Sequence, residues 1–129
     1  MQKKILLVDD ALLIRTFLTD ELNDEFEVRS ATSAEEAIGI IEKGAKASGR
    51  GIAPFDLIIT DLSMPGLSGY DLAKYVRQMN REKKFTPVIM LTEMEITKDD
   101  ARQHGCAAYI PKSELHKVKA LVKRLLQVS

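Results

Sequence analysis

Apolar residues along this chain follow two alternating rhythms. Ile5 to Val8, Leu57 to Ile59 and Val88 to Leu91 are unbroken apolar runs, which predict strands covered on both faces. Phe26 to Ala31 begins by alternating apolar with charged residues, so one face or edge of that strand meets water. A fifth run, Ala107 to Pro111, ends in proline, which belongs at a sheet edge. Between the runs, apolar residues recur at helical spacing. Leu13, Ile14, Phe17, Leu18 and Leu22 follow a cap at Asp10, while Ala37, Ile38 and Ile41 follow Ser33, with Glu36 placed for a capping box. Leu72, Tyr75, Val76 and Met79 follow Ser68, and Leu115, Val118, Leu121, Val122, Leu125 and Leu126 follow Ser113.

Two segments depart from this regularity. Thr97 to His104 has Ala101 as its one apolar residue, so the fourth helix should be short and weakly anchored before it stops at Gly105. Residues 44–54 hold three of the seven glycines and one of the four prolines, which predicts a flexible loop or a frayed helical extension.

Five strands alternating with five helices imply right-handed crossovers and a parallel sheet. The order 2-1-3-4-5 places strands one, three and four inside and strands two and five at the edges, where their compositions fit.

Composition narrows the class. At 129 residues the chain fits one domain, residues 1–129, with 45% hydrophobic and 29% charged residues as in an ordinary globule. Nineteen basic and nineteen acidic residues cancel, so no global field favours nucleic acid or a membrane surface. The one cysteine, Cys106, has no internal disulfide partner, and no apolar segment is long enough to insert in a membrane. A cytoplasmic location is expected. The basic residues after Lys112 complement the last helix dipole.

The chemistry gathers at strand ends. Strand one runs into Asp9 and Asp10, strand three into Asp61, strand four into Thr92 and strand five into Lys112. In an open parallel sheet all of these meet at the carboxyl edge, where ligand crevices form. Three carboxylates so placed repel one another unless a cation joins them, and hard oxygen ligands suit Mg²⁺. Asp61 could then act as a nucleophile toward phosphorus, with Lys112 as second cation and the Thr92 hydroxyl donating to a phosphoryl oxygen. His104 and His116 lack ligand spacing.

Ile5-Leu6-Leu7-Val8-Asp9-Asp10 with Arg15 and Leu18, Asp61 to Gly69, Leu91-Thr92, and Gly105 with Tyr109-Ile110-Pro111-Lys112 resemble the receiver domain of two-component response regulators. The resemblance spans essentially the whole chain and implies a flavodoxin-like three-layer α/β fold. It further implies that Asp61 accepts a phosphoryl group from a sensor histidine kinase or phosphotransfer protein. Asp9, Asp10, Asp61 and the Ser63 carbonyl would hold Mg²⁺. Thr92 and Tyr109 would form a switch altering the surface of helix four, strand five and helix five toward an unidentified protein target. A monomer or weak dimer through that surface is implied, without an enzyme's substrate turnover. Ser63 and Met94 occupy positions that tune dephosphorylation in such domains. An alternative is an interaction module that keeps the fold without phosphorylation.

Two departures stand out. Glu93 follows Thr92 where the family has a small residue, so small anionic donors should react slowly. Ser113 replaces the family's proline after Lys112, so the Lys112–Ser113 bond should be trans.

Overall fold

The computed structural model describes residues 2–48, 55–79 and 86–129. Its strands are β1 (Lys4–Val8), β2 (Glu27–Ala31), β3 (Leu57–Asp61), β4 (Val88–Thr92) and β5 (Ala108–Pro111). They alternate with helices α1 (Leu12–Leu22), α2 (Ala34–Ser48), α3 (Gly69–Met79), α4 (Lys98–Gln103) and α5 (Val118–Leu125), the last preceded by a 3-10 turn at Lys112–Lys117. All strand pairs are parallel, in the order β2-β1-β3-β4-β5. The expected arrangement is therefore the observed one.

Residue parity divides the core into two layers. Leu6, Val8, Ile58, Val88 and Met90 face one way and pack with Ala37, Ile41, Leu72 and Val76 from α2 and α3. Ile5, Leu7, Leu57, Ile59, Ile89 and Leu91 face the other way and meet Leu18 and Leu22 of α1 and Val118 and Val122 of α5. Every residue of β3 and β4 is buried, which explains why those runs lack polar alternation. The outer strands are wetter, β2 markedly so.

The helix starts follow the expected caps at Ser33 and Ser68, and α4 adds one not expected from the sequence. Ser33 Oγ accepts the Glu36 N–H at 3.0 Å, although Glu36 Oε1 reaches the Thr32 N–H rather than the cap's own. Ser68 and Asp71 exchange backbone-to-side-chain bonds of 2.8 and 3.2 Å at the start of α3. Thr97 and Asp100 form a complete capping box on α4, whose one buried residue is Ala101.

Two expected caps are not formed. Asp10 does not cap α1, which has no side-chain cap; the carboxylate one place earlier, Asp9 Oδ1, accepts the N–H of Ala11 just before the helix at 2.9 Å. Ser113 does not cap the last helix, because residues 112–117 wind as a 3-10 turn whose non-helical Glu114 separates them from α5. The α1 stripe is also narrower than its spacing suggests. Leu18 and Leu22 are fully buried, but Leu13 is 82% exposed and Phe17 is exposed as well.

Residues 44–48 continue α2 as a helical extension, and the rest of the expected loop, 49–54, lies outside the described residues. Lys119 pairs with Asp24 and Lys123 with Glu25, at 3.4 and 3.1 Å, so much of the C-terminal positive charge is spent on the α1–β2 turn. No peptide bond among the described residues is cis, and Lys112–Ser113 is trans as expected. No helix among them is long and apolar enough to cross a membrane.

Candidate functional site

The strand ends converge as the topology requires. Asp9, just past β1, and Asp61, the last residue of β3, are both buried, whereas Asp10 is exposed. One carboxylate oxygen from each of the three lies within 4.8 Å of the others. Lys112, immediately after β5, bridges the two buried acids, with Nζ 3.1 Å from Asp9 Oδ2 and 3.2 Å from Asp61 Oδ1. Strand one thus turns its first aspartate inward and its second toward water.

Electrostatics follow from the burial. Desolvation, aided by the Asp9 charge, pushes the Asp61 carboxyl up to about 6, against the pull of Lys112 and a Ser63 backbone hydrogen bond. Burial acts to lower the Lys112 ammonium, but the Asp9 and Asp61 carboxylates beside it outweigh that and hold its pKa above the usual lysine value. Asp9 Oδ2 is buried with the ammonium beside it yet accepts no well-directed hydrogen bond. A buried carboxylate oxygen with unused acceptor capacity, next to two more carboxylates, is a donor set that fits a hard divalent cation.

The neighbouring loops shape the approach. Asp10, Ala11, Asp61, Ser63, Glu93, Met94 and Lys112 line an open cleft of about 260 Å³. Thr92, at the end of β4, is buried with its hydroxyl committed. Thr92 Oγ1 accepts the Met94 N–H at 2.8 Å and donates to the Met94 carbonyl at 3.3 Å. Ser63 Oγ contacts the Met94 thioether at 3.4 Å, tying the β3–α3 and β4–α4 loops together across the cleft. Tyr109 is half-buried on β5 and lines, with Thr92, Ile96 and Pro111, an adjoining groove of about 720 Å³. Asp9, Asp10, Asp61, Ser63, Thr92, Met94 and Lys112 therefore lie at or beside one sheet edge, with Tyr109 in the adjoining groove.

One contributor, Glu35, was not evident beforehand, and two glycines of the Asp61–Gly69 stretch prove to be required by close approach. Glu35, in the first turn of α2, accepts the Leu67 N–H at 3.2 Å and steadies the β3–α3 loop. The same carboxylate would collide with any Cβ at Gly66, whose φ of +83° independently calls for glycine. Gly69 opens α3 so close to β3 that a Cβ would press on the Asp61 carbonyl oxygen. The glycines were legible as a turn signal; Glu35, thirty-two residues from its partner, carried no local mark.

The remaining candidates are structural. His104 caps α4 and stacks on Tyr70 with ring centroids 3.7 Å apart. Burial pushes the Cys106 thiol up to about 11, which makes it an inert space-filler.

A 2-1-3-4-5 parallel sheet with three carboxylates and a lysine at its carboxyl edge defines a flavodoxin-like α/β protein with a cation-compatible crevice. The response regulator receiver domain profile matches residues 5–125, and the chain belongs to that family. It is 36% identical to the transcriptional regulatory protein ResD of Bacillus subtilis, over 99% of this chain and 51% of that protein. It is 33% identical to the chemotaxis protein CheY-3 of Vibrio cholerae, over 84% of this chain and 79% of that one. The chain thus spans about half the length of the first of these relatives.

Solved structures agree. Chemotaxis protein CheY4 of Vibrio cholerae superposes with a TM-score of 0.80 at 30% identity, covering 96% of this chain and 98% of that one. Response regulator TrrA of Thermotoga maritima, solved in complex with Mg²⁺ and BeF, gives a TM-score of 0.76 at 34% identity, covering 95% and 98%. The chain is accordingly a two-component receiver domain whose acidic pocket fits a metal and a phosphoacceptor.

Proposed function

We propose that residues 1–129 form one receiver unit that takes a phosphoryl group onto Asp61 from a phosphohistidine on a sensor kinase or phosphotransfer protein. The observation that carries this reading is the Lys112 ammonium, 3.2 Å from Asp61 Oδ1 and 3.1 Å from Asp9 Oδ2 at the rim of an open cleft. On this reading an Asp61 oxygen, lining the cleft, attacks phosphorus in line while Lys112 neutralises charge on the transferring group. The new bond is Asp61 O–P, and the P–N bond to the donor imidazole breaks with its electron pair leaving on nitrogen.

Asp9, Asp10, Asp61 and the Ser63 carbonyl are the groups proposed to hold Mg²⁺. When bound, that ion supplies positive charge shared between carboxylates and phosphoryl oxygens. The switch is proposed to begin at Thr92. To donate to a phosphoryl oxygen its hydroxyl gives up the bond to the Met94 carbonyl, which loosens the loop from Glu93 to Ile96 on this reading. Tyr109 adjoins the same groove, so a change there would reach the surface of α4, β5 and α5 and alter its preference for a protein target. A cytoplasmic, monomeric or weakly dimeric protein without direct nucleic-acid contact accords with this reading.

Intact-mass spectrometry after incubation with Mg²⁺ and a phosphodonor tests it. One hydroxylamine-labile phosphoryl group is expected in the native chain and none in Asp61→Asn. Equal labelling of both proteins would place the acceptor elsewhere.

A further inference from the structure

Glu93 is the one acid lining the cleft that is not among the groups proposed to hold Mg²⁺. It lines the opening with Asp10, Asp61 and Lys112, is exposed, and has no ion pair or hydrogen bond among the described residues. Asp9 and Asp61 share the Lys112 ammonium, and Arg15 is engaged by the Asp9 main-chain carbonyl at 2.8 Å, outside the cleft lining. Four carboxylates therefore face or underlie the opening against one lining ammonium, and the two exposed ones, Asp10 and Glu93, have no ion pair among the described residues.

We propose that Glu93 selects phosphodonors by charge, which rests on Asp61 being the phosphoacceptor. It disfavours small dianionic acyl phosphates and favours donors that carry a cationic group beside the phosphoryl, as a protonated phosphohistidine or one flanked by lysine or arginine does. A fixed charge at the mouth of a cleft acts on every approaching ion in proportion to that ion's charge. A steric barrier would instead depend on donor size. In either donor the Asp61 oxygen forms the new bond to phosphorus. The P–O bond of acetyl phosphate breaks to release acetate, or the P–N bond of phosphoramidate breaks to release ammonia.

These two donors separate the alternatives. Acetyl phosphate is a dianion near neutral pH, whereas phosphoramidate is a net monoanion with its ammonium bonded to phosphorus. The isosteric variant Glu93→Gln should accelerate labelling by acetyl phosphate about fivefold and change the phosphoramidate rate by less than about twofold. Glu93→Lys should widen that gap. Raising the ionic strength to about 1 M, where the screening length is about 3 Å, should erase the difference between native chain and variant.

Calorimetric Mg²⁺ titration without any donor supplies an independent reading. An affinity within about threefold of native in Glu93→Gln supports a charge filter. A loss of tenfold or more would make Glu93 a metal ligand and overturn it. Equal acceleration of both donors, or of neither, would likewise overturn the proposal while leaving the phosphoacceptor assignment intact. If neither the native chain nor Glu93→Gln takes a phosphoryl group from either donor, the Asp61 assignment falls and the filter falls with it.

Discussion

Replacing Asp61 with asparagine should stabilise the metal-free protein near neutral pH, although it removes a residue central to the proposed function. Burial and the neighbouring Asp9 raise the Asp61 carboxyl from 3.8 to about 6, and it is only 4% exposed. The folded state therefore holds this proton more tightly than the unfolded chain does. The resulting stability is fully present below about 3.8 and is lost as pH rises through about 6. A rise of about two units corresponds to about 3 kcal/mol, an upper limit for what the ionised group costs the fold. For a chain of this size that is a shift in melting temperature of about 10 °C. Melts followed by circular dichroism in chelator should show Asp61→Asn more stable than the native chain above pH about 7, with the gap closing toward pH about 4. Divalent cation should stabilise the native chain and leave the variant almost unmoved. A variant no more stable than native near neutral pH, or a gap that ignores pH, would refute the electrostatic reasoning.

Other perturbations probe the scaffold and the switch. Removing Lys112 as Lys112→Met leaves two buried carboxylates unpaired and should cost roughly 3–5 kcal/mol in metal-free urea unfolding, with Mg²⁺ restoring part of the loss. Gly69→Ala should destabilise by roughly 1–3 kcal/mol because the new methyl meets backbone, whereas Gly39→Ala, with open space within 4 Å, should gain about 0.5–1 kcal/mol; thermal melts of the pair check the contrast. Thr92→Val removes the hydroxyl that receives the Met94 N–H at 2.8 Å, so hydrogen exchange at Met94 should accelerate by at least about fivefold. His104→Ala removes the stack on Tyr70 and should loosen α4 by about 0.5–1.5 kcal/mol, read as faster exchange confined to residues 98–106.

The amino-acid pattern by itself determined the strands, their parallel order and the edge at which Asp9, Asp10, Asp61, Thr92 and Lys112 meet. Those features are encoded locally: runs without alternation demand cover on both faces, and a parallel sheet sends all carboxyl ends to one side. Only the tertiary structure decided that Asp9 turns inward and accepts the Ala11 N–H while Asp10 faces water. It also decided that Leu13 and Phe17 stay exposed, because helical spacing describes a stripe but not how much of it the sheet and α5 cover. The contacts of Glu35 with Leu67 and of Ser63 with Met94 join residues more than thirty apart, through loops whose approach depends on how α2, α3 and the strand ends pack. Such contacts have no period or spacing to read, and they set the shape of the cleft in which the carboxylates act.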